Sequence, residues 1–320
     1  SGFVIGYAYD DRWNRMSLGG FFKRRLIRLH PMIIMGMLIG AITFYFQDST
    51  FFPAIHTVPA WQVIGIMLIG FTLLPVPPSM DIRGWNEMHP LNGPAWTLFF
   101  EYIANILYAL ILRKLPNKIL ALLAVIAGAA LIHLAVTGPQ GDVIGGWSLD
   151  ATQLRIGFSR LLYPFFAGLL LSRVIKPGQY TNAFAGCSLL LVAILAFPRL
   201  GGHDQGWMNG LYDSLIIIAV FPMIVYWGAS GKVKEGASSR LVKWLGDISF
   251  PLYITHYPVI YMYMAWVAKN EQYIKDGSTD AVMTTILVSI VTLVSAILIA
   301  WACVKWYDLP LRKWLTRKWK

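Results

Sequence analysis

A single carboxylate, Glu101, lies in the otherwise uncharged apolar stretch of residues 94–112. If this stretch is a helix, Thr97, Asn105 and Tyr108 share a face with Glu101, because residues three or four positions apart are neighbours on a helix. A charge near the centre of a bilayer costs roughly 2.5 kcal/mol or more, so such residues usually face a bundle interior and serve a pathway or an active site. The stripe therefore predicts a lined site, with a structural ion pair between helices as the alternative.

A second charge, Arg160, lies inside the apolar stretch of residues 154–171. Both stretches are expected to enter the membrane from the outer side. Glu101 lies seven residues after Pro94, and Arg160 lies six residues after Leu154. At 1.5 Å per helical residue, both charges are then roughly 10 Å below the surface. We therefore expect Arg160 to pair with Glu101 and to keep it ionised.

His256 lies in the apolar stretch of residues 250–268, whose other ionisable side chains are tyrosines. Tyr253, Tyr257 and Tyr261 recur every four residues and form a second polar stripe on one helix face. Histidine is the side chain best suited to transfer protons near neutral pH. His256 is thus a candidate base, and a hydrogen-bonded structural histidine is the alternative.

The densest positive cluster, residues 23–30, runs directly into an apolar helix. Arg25 and Arg28 are three residues apart and are expected to share a helix face. Two guanidinium groups on one face suit phosphate oxygens, which arginine binds through paired hydrogen bonds. One candidate ligand is a phosphate-bearing cosubstrate. The other explanation is that these residues orient the chain in the membrane or bind lipid headgroups.

The composition predicts an all-α fold, a polytopic transmembrane helical bundle. Hydrophobic residues make up 57% and charged residues 13% of the 320-residue chain, whereas a soluble domain carries about 25% charge. Nine apolar stretches are long enough, or nearly so, to cross a hydrocarbon core of roughly 30 Å. They cover residues 31–46, 60–76, 94–112, 118–136, 154–171, 183–197, 214–230, 250–268 and 281–304. Residues 1–320 are expected to form one domain.

The net charge of +11 is explained by orientation in a membrane rather than by binding of nucleic acid, because the positive residues fall in alternate connections. These are residues 10–30, 113–118, 173–176, 232–243 and 305–320. The positive-inside rule places these connections, and with them the C-terminus, in the cytoplasm. Both cysteines fall inside expected spans, so neither a disulfide framework nor a zinc site is expected.

This alternation requires the stretch 60–76 to begin and end on the outer side. The stretch ends in a proline-rich sequence, residues 75–78, and a connection containing glycine and proline continues to Gly93. Re-entrant backbone survives at membrane depth only where protein or a water-filled cavity covers its polar groups. We therefore predict one re-entrant hairpin that lines a cavity on the outer side. The alternative is a short ordinary helix, with the predicted orientation wrong at one end of the chain.

Five short motifs follow one another over nearly the whole chain. They are Ser1-Gly2-Phe3, the run from Arg25 to Pro31, Gly93-Pro94 with Trp96, Thr97 and Glu101, Arg160 with the run from Pro164 to Gly168, and the run from Leu245 to Tyr253 with His256 and Pro258. In these motifs and in their order, the chain resembles the acyltransferase-3 family of integral membrane O-acyltransferases. Each motif alone is weak, whereas five in order are specific.

The resemblance implies transfer of an acyl group, commonly acetyl, from cytoplasmic acyl-coenzyme A to a hydroxyl of a glycan or similar acceptor outside a bacterial inner membrane, without a metal. Arg25 and Arg28 would hold the phosphates of the coenzyme. The expected catalytic residues are Glu101, Arg160 and His256, and the expected acceptor contacts are Trp96, Thr97, Asn105 and Tyr253.

The sequence departs from the family pattern in two places. The resemblance implies an essential histidine, with a nearby arginine, on a helix before Ser1-Gly2-Phe3. Because this sequence begins at that motif, we expect the first helix of the family, and the base on it, to be missing. In addition, Asp308 precedes Pro310 where the family usually has Glu. A transporter or flippase for a glycan or small anion, which also uses charges within the membrane, is the main alternative function, and a structural subunit is a third.

Overall fold

The computed structural model describes residues 1–138, 142–176, 178, 180–199, 205–232 and 236–319. Lys234 and Lys320, which belong to two of the basic connections, lie outside the described residues. The named elements of the described residues are all helical, which confirms the predicted all-α class. The α-helices are α1 (Gly2–Tyr9), α2 (Leu18–Thr43), α3 (Ala60–Phe71), α4 (Ala95–Leu110), α5 (Asn117–Thr137), α6 (Ala151–Val174), α7 (Ala183–Leu195), α8 (Gly206–Leu215), α9 (Phe221–Ala229), α10 (Ala237–Lys269), α11 (Glu271–Asp276), α12 (Thr279–Cys303) and α13 (Leu309–Lys318).

Within the described residues, five helical segments are long and apolar enough to cross a membrane. They are Leu18–Gln47, Asn117–Thr137, Ala151–Val174, Gly206–Ala229 and Thr279–Lys318. Three apolar helices are shorter, namely α3, α4 and α7. At 1.5 Å per residue, the 12 residues of α3 extend only about 18 Å, which is less than the roughly 30 Å of a hydrocarbon core. The chain is thus a helical membrane protein, and the count of nine spans stays a prediction.

Local sequence explains where these helices begin. Asp150 precedes α6, and its carboxylate accepts a hydrogen bond of 2.9 Å from the backbone N–H of Gln153. Ser278 does the same for α12 through the N–H of Ala281, at 3.3 Å. Such side chains satisfy N–H groups that have no partner in the first turn of a helix.

The chain divides into two compact units, of which the first comprises Ser1–Leu18, Phe100–Gly146 and Asp150–Arg240. Helices α1 and α6 approach closely in this unit because glycines face the opposing backbone. A Cβ atom on Gly2 would collide with the carbonyl oxygen of Phe165, and one on Gly168 would lie 2.7 Å from the backbone nitrogen of Phe3. Two of the motifs that carry the family resemblance therefore form one helix contact.

In the first unit, several contacts join connections that are predicted to lie on the same side of the membrane. Arg173 forms an ion pair with Asp10 at 2.7 Å and donates a hydrogen bond of 2.7 Å to the carbonyl oxygen of Leu115. These residues come from, or adjoin, three connections that are predicted to be cytoplasmic. Arg199 lies 3.8 Å from Asp142 and 3.3 Å from Asp213, in two connections that are predicted to lie outside. Each of these ion pairs joins residues whose connections are predicted to lie on the same side, and the orientation itself stays a prediction.

The second unit comprises Gly19–Phe99, Trp147–Leu149 and Leu241–Lys320. The connection between α3 and α4 is buried in it. A Cβ atom on Gly36 of α2 would lie 2.6 Å from the carbonyl oxygen of Ile254 and 2.7 Å from the side-chain nitrogen of Asn92. Asn92 also donates a hydrogen bond of 2.7 Å to Ile254. The connection is therefore packed between α2 and α10, where a larger residue than glycine would not fit.

Candidate functional site

The start of α4 places two predicted acceptor contacts next to each other in the second unit. The hydroxyl groups of Thr97 and Tyr253 are 2.5 Å apart. Thr97 also donates a hydrogen bond of 3.0 Å to the carbonyl oxygen of Pro94, and the Tyr253 hydroxyl lies 3.2 Å from the same oxygen. Both side chains are partly exposed, as is that of Trp96. The structure therefore brings the Thr97 and Tyr253 hydroxyl groups together at a partly exposed position, and their contact with an acceptor, like that of Trp96, stays a prediction.

His256 lies one helical turn after Tyr253 and is also partly exposed. Its Nδ1 atom is 3.0 Å from the carbonyl oxygen of Leu252 and 2.8 Å from that of Tyr253. Because a carbonyl oxygen can only accept, Nδ1 carries the hydrogen and the Nε2 lone pair can accept a proton. This tautomer suits a base, and the catalytic role of His256 stays a prediction.

A buried cation in the connection before α4 was missed by sequence reasoning. Arg83 is fully buried. It donates hydrogen bonds to the carbonyl oxygen of Pro90 (2.9 Å) and to Oε1 of Gln47 (2.6 Å). Its Nε atom lies 3.6 Å from a carboxylate oxygen of Glu87. The guanidinium carbon is also 3.6 Å from the centre of the Tyr261 ring, in cation–π geometry.

Glu87 connects this cation to α10. The carboxylate is only 5% exposed and accepts the hydroxyl hydrogen of Tyr261, with both carboxylate oxygens 2.8 Å from the hydroxyl oxygen. Burial raises the pKa of Glu87 to about 7, whereas Arg83 and the Tyr261 hydrogen bond act in the opposite direction. We refer to Gln47, Arg83, Glu87 and Tyr261 as the Arg83 cluster. The available sequence signal was the spacing of Arg83 and Glu87, four residues apart between two apolar helices.

Glu101 and Arg160 lie in the first unit, on helices that pack against each other. Gly157 of α6 has no room for a Cβ atom because the ring of Phe100 lies against it. Glu101 follows Phe100 by one residue, which is a rise of about 1.5 Å along α4. Arg160 follows Gly157 by three residues, which is a rise of about 4.5 Å along α6. Arg160 donates a hydrogen bond of 2.7 Å to the carbonyl oxygen of Gly145. The contact shows that the two helices meet close to both residues, and the similar depth and the pairing of the two side chains stay predictions.

The remaining members of the predicted stripe on α4 have different environments. Asn105 is 1% exposed, and neither of its amide atoms has a hydrogen-bond partner among the described residues. Tyr108 donates a hydrogen bond of 2.6 Å to Asp10 and accepts one of 3.0 Å from the indole of Trp13. Tyr108 therefore belongs to the polar network around Asp10, and Asn105 has unused hydrogen-bonding capacity.

A basic groove of about 540 Å³ lies in the second unit between α2 and α13. It is lined by Arg24, Ile27, Arg28, Leu309, Arg312, Lys313, Thr316 and Arg317. Five of these eight residues are cations. Arg25 does not line the groove, because it is 4% exposed whereas Arg28 is exposed. The expectation that Arg25 and Arg28 present a fork on one surface is therefore corrected: Arg24, one turn before Arg28, takes that place.

One acid lies close to the groove. Asp308 is 3% exposed and accepts a hydrogen bond of 2.9 Å from Arg312. Its carboxylate also interacts electrostatically with Arg28. Asp308 thereby fixes Arg312 in place and neutralises part of the positive charge next to the groove.

Known proteins resemble this chain over most of its length. A family model described as an acyltransferase domain matches residues 1–305. The O-acetyltransferase OatA of Staphylococcus aureus is 22% identical over 94% of this chain and 49% of its own length. The acyltransferase MdmB of Streptomyces mycarofaciens is 23% identical over 81% of this chain and 65% of its own length.

A shorter match is to "Protein 2 in picA locus" of Rhizobium radiobacter, with 28% identity over 34% of this chain and 59% of that protein. The chain thus spans about half to two thirds of the length of these curated relatives. No solved structure matches the chain significantly. OatA and MdmB are named as an O-acetyltransferase and an acyltransferase. Because the family model covers residues of both compact units, the chain belongs to the acyltransferase-3 family.

Proposed function

We propose that the chain is a membrane-embedded O-acyltransferase. It would move an acyl group, most simply acetyl, from cytoplasmic acyl-coenzyme A to a hydroxyl of a glycan or similar acceptor on the other side of a bacterial inner membrane. Family membership supports acyl transfer. The observation that carries the identity of the donor is the basic groove, with its five cations.

The chemistry of the groove suits the coenzyme. Coenzyme A carries a diphosphate and a separate phosphate, and arginine binds such groups through paired, charge-assisted hydrogen bonds. Arg24, Arg28 and Arg317 supply guanidinium groups from two helices, so more than one phosphate can be held at once. Arg25 is buried and does not line the groove, so its part in binding the donor stays a prediction.

The basic groove also supports the proposed topology. The segment Thr279–Lys318 has 40 residues and would extend about 60 Å as a helix, so its basic end projects beyond a roughly 30 Å core. Because this end and the start of α2 line one groove, they share a side, which the positive-inside rule assigns to the cytoplasm. We retain nine membrane segments in one domain, and we propose that the one beginning with α3 is re-entrant because the charge alternation requires it to begin and end on the same side.

The reaction assigns a role to each predicted residue. The hydroxyl oxygen of the acceptor attacks the thioester carbonyl carbon, its proton passes to a base, and the carbon–sulfur bond breaks to release the coenzyme thiol. His256 presents Nε2 as a base within this chain, and Glu101 is the second candidate. Arg160 is a donor for the developing oxyanion. Trp96, Thr97, Asn105 and Tyr253 are the proposed acceptor contacts, and no metal takes part.

The test uses membranes that contain the full natural chain and labelled acetyl-coenzyme A. We expect label to enter an acceptor, and we expect Arg28→Ala to raise KM for the donor roughly tenfold, since a charge-assisted hydrogen bond contributes about 1.5 to 3 kcal/mol. Lys118→Ala, which removes an exposed cation outside the groove, is the matched control. Uptake of a glycan without acylation would instead support the transporter.

A further inference from the structure

We propose that Glu87 and Tyr261 are positioning residues for acyl transfer, which set the start of α4 and thereby place Trp96 and Thr97. The inference rests on the proposed function. It assigns a task to the Arg83 cluster, whose members lie outside the predicted site. The argument follows the hydrogen bonds from the buried cation to the first turn of α4.

The first step is the contact between Tyr261 and Gly93. The Tyr261 hydroxyl donates its hydrogen to Glu87 and accepts a hydrogen bond of 3.2 Å from the backbone N–H of Gly93. A Cβ atom on Gly93 would lie 2.5 Å from Oε1 of Glu87 and 2.6 Å from the Tyr261 hydroxyl. Only glycine therefore allows the backbone to lie against both groups, and the two side chains fix the position of this peptide.

The second step is the rigidity of Glu87 itself. Arg83 holds its carboxylate from one side, and Arg83 is in turn held by Gln47 and by the carbonyl oxygen of Pro90. The turn that carries Arg83 is closed by Asp81, whose carboxylate accepts hydrogen bonds of 2.8 to 2.9 Å from three backbone N–H groups. Each link is thus fixed by a charged or hydrogen-bonded partner.

The third step connects Glu87 and Tyr261, which together form the anchor of Gly93, to the proposed acceptor contacts. Gly93 immediately precedes Pro94, whose carbonyl oxygen accepts the Thr97 hydroxyl and lies 3.2 Å from that of Tyr253. A displacement of Gly93 therefore moves the oxygen that orients both hydroxyl groups. A misplacement of about 1 Å in a reacting group can cost roughly a hundredfold in rate. Loss of the anchor should thus lower kcat and leave the donor groove intact.

The experiment compares Tyr261→Phe with Tyr263→Phe in the full natural chain. Tyr263 is on the same helix, but its hydroxyl lies 3.1 Å from Ser289, so its loss is a matched control. We expect Tyr261→Phe to lower kcat about tenfold or more while KM for acetyl-coenzyme A stays within about twofold. Glu87→Gln should retain more of kcat than Glu87→Ala, because the amide oxygen still accepts from Tyr261. A kcat within about twofold of the parent for Tyr261→Phe would overturn the proposal.

A second measurement does not depend on activity. In a Cys187→Ala, Cys303→Ala background, a cysteine placed by Thr97→Cys is labelled with a maleimide, with and without Tyr261→Phe. We expect labelling to accelerate several-fold when the anchor is lost, and an unchanged rate would refute the positioning role. If the parent chain transfers no acetyl group, the proposed function fails on its own, and labelling still decides whether Tyr261 holds the start of α4.

Discussion

The Arg83 cluster and the basic groove belong to the same unit but use arginine in opposite ways. Arg83 is fully buried, and its guanidinium group contacts an amide oxygen, a carbonyl oxygen, a carboxylate and an aromatic ring. In the groove, five cations line one surface, and the buried carboxylate of Asp308 contacts Arg312. The number of cations therefore does not identify a binding surface. What distinguishes the two regions is burial, because protein groups enclose the guanidinium group of Arg83 whereas the cations of the groove line an open surface.

The largest expected effect is on stability. Arg83→Ala leaves Gln47 and Pro90 with buried acceptors that have lost their donor, and it removes the cation that faces Glu87. We expect the free energy of unfolding to fall by about 3 kcal/mol or more, since each unsatisfied buried group costs about 1 to 3 kcal/mol. Arg28→Ala, at an exposed position, should change stability by less than about 0.5 kcal/mol. Chemical unfolding in detergent measures both variants, and equal losses would contradict the distinction between the two regions.

A second prediction concerns pH. The pKa of Glu87 is raised from 4.5 to about 7 in the folded chain, so the folded state binds this proton more tightly than the unfolded state. The stability that this carboxyl contributes is therefore complete below about pH 4.5 and declines as pH rises toward 7. The charged neighbours that shape this response are Arg83 and Asp81. Unfolding midpoints measured across this range should decline, and Glu87→Gln should flatten the decline. An identical slope in both proteins would show that Glu87 does not titrate in this window.

The smallest expected effect lies at the edge of the basic groove. Asp308→Asn keeps the shape of the side chain but removes the negative charge beside Arg312 and Arg28. Attraction of the groove for phosphate should rise, and we expect KM for acetyl-coenzyme A to fall about twofold at low ionic strength, with the difference shrinking in high salt. A higher KM would mean that Asp308 acts mainly by holding Arg312 in the correct orientation.

The helical class and most of the apolar helices were predictable from the sequence because their signals are long and continuous. The contact of Thr97 with Tyr253 joins two residues that were both proposed as acceptor contacts, although their proximity was not predicted. Helical spacing did not predict which arginine lies beside Arg28 on the surface. Arg24 and Arg25 precede Arg28 by four and three residues, so both are about one turn away, and only the packing around α2 decides which of them is buried.

The Arg83 cluster could not be derived from the sequence for a related reason. Its members come from the short segment after α2, from a connection without periodicity and from α10, so no local pattern connects them. Charged residues in a connection are usually exposed to solvent, so nothing in the sequence indicated that Arg83 and Glu87 are buried. The glycine that permits the contact, Gly93, was visible only as part of a motif. The steric need for glycine at this position could be recognised only from the positions of Glu87 and Tyr261, which face it.

The basic groove joins residues from opposite ends of the chain. Arg24 and Arg28 emerge early from the ribosome, whereas Arg312 and Arg317 follow nearly three hundred residues later. During synthesis, Arg24 and Arg28 therefore precede Arg312 and Arg317 by most of this sequence, and the groove cannot form until α13 has been made. A chain that has not yet formed α13 would therefore present only the α2 wall of this groove.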